Sequence, residues 1–325
     1  MPRVPALLLV LALAVAVAVA GCGAGRPVAD PPAEIVVAAG EASGVYYRYG
    51  RGLADALGET LPDSAVSAVV TSGSVDNIER LARGEAAVAF SLADTAAEAV
   101  LGTGPFPRPV PLRALARLYT NSVHVVVPAG SAVQRVSDLR GLRVSAGAPG
   151  SGTEATATRM LAVAGLSGAA VPSISHLGVQ ESAGALAAGR LDAFFWSGGL
   201  PTAGVQELVD TTAVRLLPTD DLLAGMRRDH GDFFVEQTIP GSVYGTSQDV
   251  STIGVPNLLL VRADLPADLA AAVTATLFEA QPALVSVHPE ARHLDPRSAI
   301  TTAPVPLHPG AATYYRSAKP GVGTG

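Results

Sequence analysis

The chain has 325 residues, with 28 acidic side chains against 22 basic ones and a formal charge of −6. It is 49% hydrophobic and only 15% charged, which excludes a disordered polymer and leaves length for two ordinary domains. No basic run is present, which argues against a nucleic-acid partner, and the single lysine, Lys319, leaves lysine-dependent catalysis only near the end.

The first segment reads as an address. Arg3 precedes an apolar run, Val4 to Ala20, that closes on Gly21 and Cys22. A basic start, a short apolar core and small residues at its end describe a secretory signal over 1–21. Val19-Ala20-Gly21-Cys22 resembles a lipobox, so Cys22 is the expected lipidation site and tie to the bilayer. A transmembrane anchor is the alternative, since the run approaches the length that spans a bilayer. Cys22 is the only cysteine, so an exported chain forms no internal disulfide and relies on its core. Residues 22–34, rich in Gly, Pro and Ala, read as a flexible tether.

From residue 34 onward short β-branched runs alternate with helical spacing. Strands are expected at 35–38, 66–70, 87–90, 122–127, 143–146, 174–177, 193–196 and 258–261. Tyr46, Leu53, Ala54 and Leu57 share a helical face, as do Val75, Ile78, Leu81 and Ala82, and then Ala157, Met160, Leu161 and Ala164. Gly84 stands where a helix C-cap glycine belongs. The alternation predicts an α/β fold with mostly parallel sheets.

Four glycine- and hydroxyl-rich loops follow strands and precede helices: 40–44 (GEASG), 71–74 (TSGS), 147–153 (GAPGSGT) and 197–202 (SGGLPT). In a parallel sheet such loops gather at the carboxyl ends of the strands. Glycine lets the backbone approach a ligand, and the helix start beyond it offers unpaired N–H donors at the positive end of a dipole. Several converging starts hold an anion without a cationic side chain. Ordinary turns and caps are the competing explanation for any one of the four.

Other chemistry fits poorly. The 147–153 loop imitates a phosphate-binding loop but has Thr153 where the lysine belongs. Gly150 to Ala155 also fits GxGxxA, yet the 170s hold no acid to grip a ribose. No GxSxG is present for a serine hydrolase. His288 and His293 are spaced wrongly for one helical face, and no second cysteine supports a metal site. Neither a cofactor nor a metal is expected.

In order and spacing, six segments resemble the TAXI family, the extracytoplasmic solute receptors of one class of TRAP transporters. They are Gly44–Leu57, Thr71–Asp94, Asp138–Ala157, Gly189–Leu208, Thr238–Gly245 and Pro306–Arg316. Two departures are Ser247–Ile253 and the missing acid after Arg316. The resemblance implies a two-lobed type II periplasmic-binding-protein fold with two hinge crossovers. The extended runs Asn121–Val127 and Thr252–Val261 are the expected crossovers, which place residues 35–123 and 252–325 in one lobe and 124–251 in the other. It implies a small carboxylate ligand, such as glutamate, 2-oxoglutarate or a related dicarboxylate, delivered to TRAP membrane subunits. A sensor domain for a membrane kinase and an exported hydrolase are the alternatives.

On this reading lobe one presents Tyr46, the loop residues Ser72, Gly73 and Ser74, then Asn77, Ser91 and Asp94. For Asp94 an N-cap is the more ordinary role and a ligand ammonium the other. Lobe two presents Ser151, Gly152, Thr153, Trp196, Gly198 and Gly199. Trp196, the only tryptophan, is either core or a platform for the ligand. Tyr244 either lids the cleft or braces a crossover. No arginine lies in the four loops, although Arg48 and Arg113 are near enough in sequence to reach in.

Overall fold

The computed structural model describes residues 28, 30–167 and 172–318. The signal segment, Cys22, most of the tether and Lys319 lie outside the described residues.

Ten strands form one mixed sheet. They are β1 (Glu34–Ala38), β2 (Ala65–Val69), β3 (Val88–Leu92), β4 (Leu112–Pro128), β5 (Arg143–Ser145), β6 (Ser173–Ser175), β7 (Ala193–Gly198), β8 (Val214–Leu216), β9 (Val235–Ile239) and β10 (Val250–Arg262). The order is β2-β1-β3-β10-β4-β7-β5-β6, with β8 beside β4 and β9 beside β10. β1 pairs in parallel with β2 and β3, and β5 with β6 and β7. The expected parallel ladders thus occupy the two ends. The two long strands β4 and β10 run antiparallel to each other and to their neighbours, which makes the whole sheet mixed.

Strand alternation explains why helices cover both faces. Ile35, Val37, Phe90, Leu259 and Val261 point into one apolar cluster, while Ala38, Ala89, Leu258 and Leu260 point into another. The same split recurs further along: Val123, Val125 and Phe195 go one way, Val126, Phe194 and Trp196 the other. The first two clusters draw on residues 35–116 and 258–315 or their near neighbours. The other two draw on 123–255, with Leu92 as the one intruder. β4 and β10 pass through both pairs of clusters.

The helices that matter for the site are α1 (Val45–Thr60), α2 (Ser74–Arg83), α3 (Ala93–Leu101), α4 (Gly152–Val163) and α5 (Val179–Ala187). α2 ends on Gly84 at φ 72°, a left-handed C-cap that relieves a side chain of strain. α4 starts under an N-cap, the Ser151 hydroxyl accepting from Glu154 N at 3.0 Å. Among the described residues no single helix is long and apolar enough to cross a membrane.

Candidate functional site

All four glycine loops reach one hollow where the two sets of clusters meet, the fourth only through Ser197 and Gly198 at the end of β7. Its walls include Tyr46, Ser72, Gly73, Ser74, Ser151, Gly152, Thr153, Trp196 and Gly198, all expected from sequence. Gly40, Glu41, Gly44, Val45, Leu92, Tyr119, Asn121 and Ser197 complete it. The space is about 40 Å³, room for a few waters.

The chain packs so closely here because glycine permits it. A Cβ on Gly152 would stand 2.6 Å from both Leu92 Cδ1 and Ser74 Oγ. Gly73, at φ 125°, brings its backbone against Ser151 in a conformation that side chains rarely adopt.

Helix starts leave orphan amides, and their partners decide what the hollow can do. At α2, Val75 N and Asp76 N both donate to Gly150 O, at 3.1 and 3.2 Å, across the seam. Ser74 N has no acceptor among the described residues, and at α4 neither do Gly152 N and Thr153 N. Hydroxyls nearby are already committed: Ser74 Oγ accepts from Leu92 N at 3.1 Å and Thr153 Oγ1 from Ser197 N at 3.1 Å. Three free N–H donors at two facing helix starts therefore line the hollow, and they suit an anion.

A ladder of side chains backs it. Tyr46 OH donates to Asn257 Oδ1, Asn257 Nδ2 donates to Asn121 Oδ1 at 2.9 Å and to Tyr119 O at 3.1 Å, and Asn121 Nδ2 donates to Ser197 O at 3.0 Å. Tyr119 OH is buried and unpartnered. Burial pushes the Tyr46 and Tyr119 phenols far up, so both remain neutral hydroxyls. Glu41 is the one carboxylate in the wall. Its Oε2 accepts from Val179 N at 3.0 Å and so caps α5, whose own N-cap, Gly178, has no side chain to do so. Burial raises the Glu41 pKa above its ordinary value; the Val179 amide opposes this, and Glu181 nearby adds to it.

Five expected residues lie elsewhere. Asn77 is fully buried and holds loops together, Nδ2 donating to Ala39 O and, at 2.8 Å, to Phe90 O, while Oδ1 accepts from Thr71 Oγ1 at 2.6 Å. Ser91 Oγ donates to Leu92 O at 3.0 Å. Asp94 sits in the first turn of α3 and pairs with Arg159 of α4; Glu98 joins that guanidinium at 2.5 Å. This buried triad ties the two sides of the seam. Gly199 packs under Tyr119 and Glu290, with no space for a Cβ. Tyr244 is a brace: its hydroxyl accepts from Thr202 N at 3.0 Å and donates to His124 Nε2 at 3.0 Å. Trp196 belongs to an apolar cluster and also lines the hollow, its Nε1 donating to Thr202 Oγ1 at 2.9 Å. Arg48 and Arg113 do not line the hollow. Among the described residues no group of three or more His, Cys, Asp or Glu side chains is placed to hold a metal.

Of the residues missed, Glu41, Gly44 and Ser197 stood in loops already singled out. Asn121 had a signal, an amide entering an apolar strand. Tyr119 had none beyond its aromatic ring.

The model of the NMT1-like family matches residues 37–318. The chain belongs to that family. Among solved structures, a putative L-cystine ABC transporter protein from Listeria monocytogenes is 13% identical, with 79% of this chain and 94% of that one covered at a TM-score of 0.50. That likeness shows a shared fold, the type II periplasmic-binding-protein arrangement. The periplasmic aliphatic sulphonate binding protein SsuA from Escherichia coli is 15% identical over 89% of this chain and 84% of its own, TM-score 0.49. XAC2383 from Xanthomonas citri, bound to ATP, is 13% identical over 88% and 95%, TM-score 0.49.

Proposed function

We propose that this chain is an extracytoplasmic solute-binding receptor of a TAXI-type TRAP transporter, tethered to the bilayer through acylated Cys22, and that it captures a small carboxylate between two lobes. The proposed lobes are 35–123 with 252–325, and 124–251. The observation that carries the reading is the set of free N–H groups of Ser74, Gly152 and Thr153 around one hollow on the seam. Two antiparallel crossovers, β4 and β10, supply the hinge.

The hollow is too small for a metabolite as the halves stand, so the ligand enters when they part. Its carboxylate then takes the three free amides, with neutral Tyr119 OH as a further donor. Binding energy shared between both lobes favours closure through differential affinity. The one carboxylate in the wall, Glu41, is engaged at the start of α5.

The test is a panel of amino acids, 2-oxoacids and dicarboxylates screened by thermal shift. A ligand at about 100 times its Kd should raise the melting temperature by roughly 5 °C or more and be recovered unaltered. Consumption of the ligand, or no shift with any carboxylate, contradicts the proposal. Cys22→Ser should release the chain from the membrane fraction; unchanged fractionation returns the transmembrane alternative.

A further inference from the structure

A second pocket opens where the crossovers meet the C-terminal segment, and its chemistry differs from the cleft. It has a volume of about 590 Å³ and is lined by Arg117 and Thr120 of β4, Gln237 of β9, and Glu290, Arg292 and His293 of the short helical turn Pro289–His293. That volume is in the range of metabolite sites. Arg117 is half-buried, and its one side-chain partner among the described residues is Thr120 Oγ1 at 3.5 Å. Neither Arg117 nor Arg292 has an ion-pair partner among the described residues. Burial pulls the Arg117 pKa down, the mark of a cation short of compensation. The one acid in the lining, Glu290, is buried and already engaged, accepting from Leu200 N at 2.5 Å with His293 at 3.6 Å, both of them residues of the same pocket. The pocket therefore carries an excess of positive charge in a chain whose formal charge is −6.

We propose that this hinge pocket is a second binding site, for a small multivalent anion held between Arg117 and Arg292. Guanidinium groups match carboxylate and phosphate oxygens in paired hydrogen bonds, so a tricarboxylate or a phosphate fits. The site does not depend on what the cleft holds. It is coupled to the cleft, however. Tyr119 walls both cavities, and the pocket takes residues from either side of the crossovers. An anion there favours the arrangement that keeps both walls together.

The experiment is calorimetric titration with citrate and with inorganic phosphate at fixed ionic strength. Four proteins are compared: the full chain, Ser151→Asp to disable the cleft, and Arg117→Gln or Arg292→Gln on the Ser151→Asp background. The expected result is saturable binding of at least one anion that survives Ser151→Asp and weakens tenfold or more in either arginine variant. Arg292 is exposed, so its replacement leaves the fold intact and keeps the test sound if Arg117→Gln misfolds. Absence of saturable binding by both anions in Ser151→Asp overturns the site, as does binding that Arg292→Gln leaves unchanged. Trp196 emission should shift at saturation; a constant spectrum removes the coupling.

Discussion

The loops at 147–153 and 197–202 begin alike and end differently. Each follows a strand, is rich in glycine and hydroxyls, and leads into a helix. The first leaves Gly152 N and Thr153 N without acceptors. The second spends its groups internally and on its neighbours: Thr202 Oγ1 donates to Gly199 O at 2.8 Å and receives Trp196 Nε1, Thr202 N reaches Tyr244, and Leu200 N reaches Glu290. On the proposed function, glycine content does not separate a binding loop from a structural one. The destination of the amides does.

The strongest way to break this contrast is Ser151→Asp. Aspartate caps a helix as serine does, so α4 keeps its start. A second negative charge about 4 Å from a bound carboxylate costs roughly 4 kcal/mol at an effective dielectric of 20, or about a thousandfold in Kd. Undiminished affinity by calorimetry removes the first loop from the site. Gly152→Ala should be nearly as severe, because its Cβ overlaps Leu92 and Ser74 and forces the seam apart.

Arg159→Met comes next, since Arg159 lies on the helix that the first loop starts. It leaves Asp94 buried, and Glu98 partly buried, without their cation and should cost about 3–5 kcal/mol in denaturant unfolding. Because the triad crosses the seam, emission from Trp196 should also move toward that of a more hydrated indole. Loss of stability with an unchanged spectrum would restrict the triad to a static role.

The second loop has a pH signature of its own. Its brace, Tyr244, rests on His124, whose pKa burial depresses from about 6.5 to about 4. The unfolded chain therefore takes up the proton first as pH falls. Stability is full above about 6.5, declines through the window down to about 4, and loses roughly 3 kcal/mol across it. Chemical denaturation of wild type and His124→Gln over that range checks this; the variant should show a flatter profile. Smallest is Tyr244→Phe, which strands Thr202 N and should cost about 1–3 kcal/mol while leaving ligand affinity within threefold. A large loss of affinity would make Tyr244 a lid.

Much of this architecture is legible in the sequence. Every expected strand has a counterpart: β3 and β7 are apolar and buried on both faces, while β2 and β6 are half-exposed and stand out by their β-branched residues between turn residues. The extended run expected at 252–261 covers nearly all of β10, whereas the one at 121–127 covers only the second half of β4, which runs from Leu112. Edge strands β8 and β9 were missed, being short and only half apolar. The site was legible as loops but less so as residues. Asn77 and Asp94 look like ligand groups in a linear reading, and only tertiary packing gives them buried partners. Glu41 caps a helix 138 residues away, a pairing no local pattern encodes.

The most direct measurement is amide NMR on the ¹⁵N-labelled chain, titrated with the carboxylate that raises its melting temperature most. The Ser74, Gly152 and Thr153 resonances should shift downfield as their N–H groups acquire acceptors, while Leu200 and Thr202 stay in place. Unmoved signals from the first three at saturation would contradict the account.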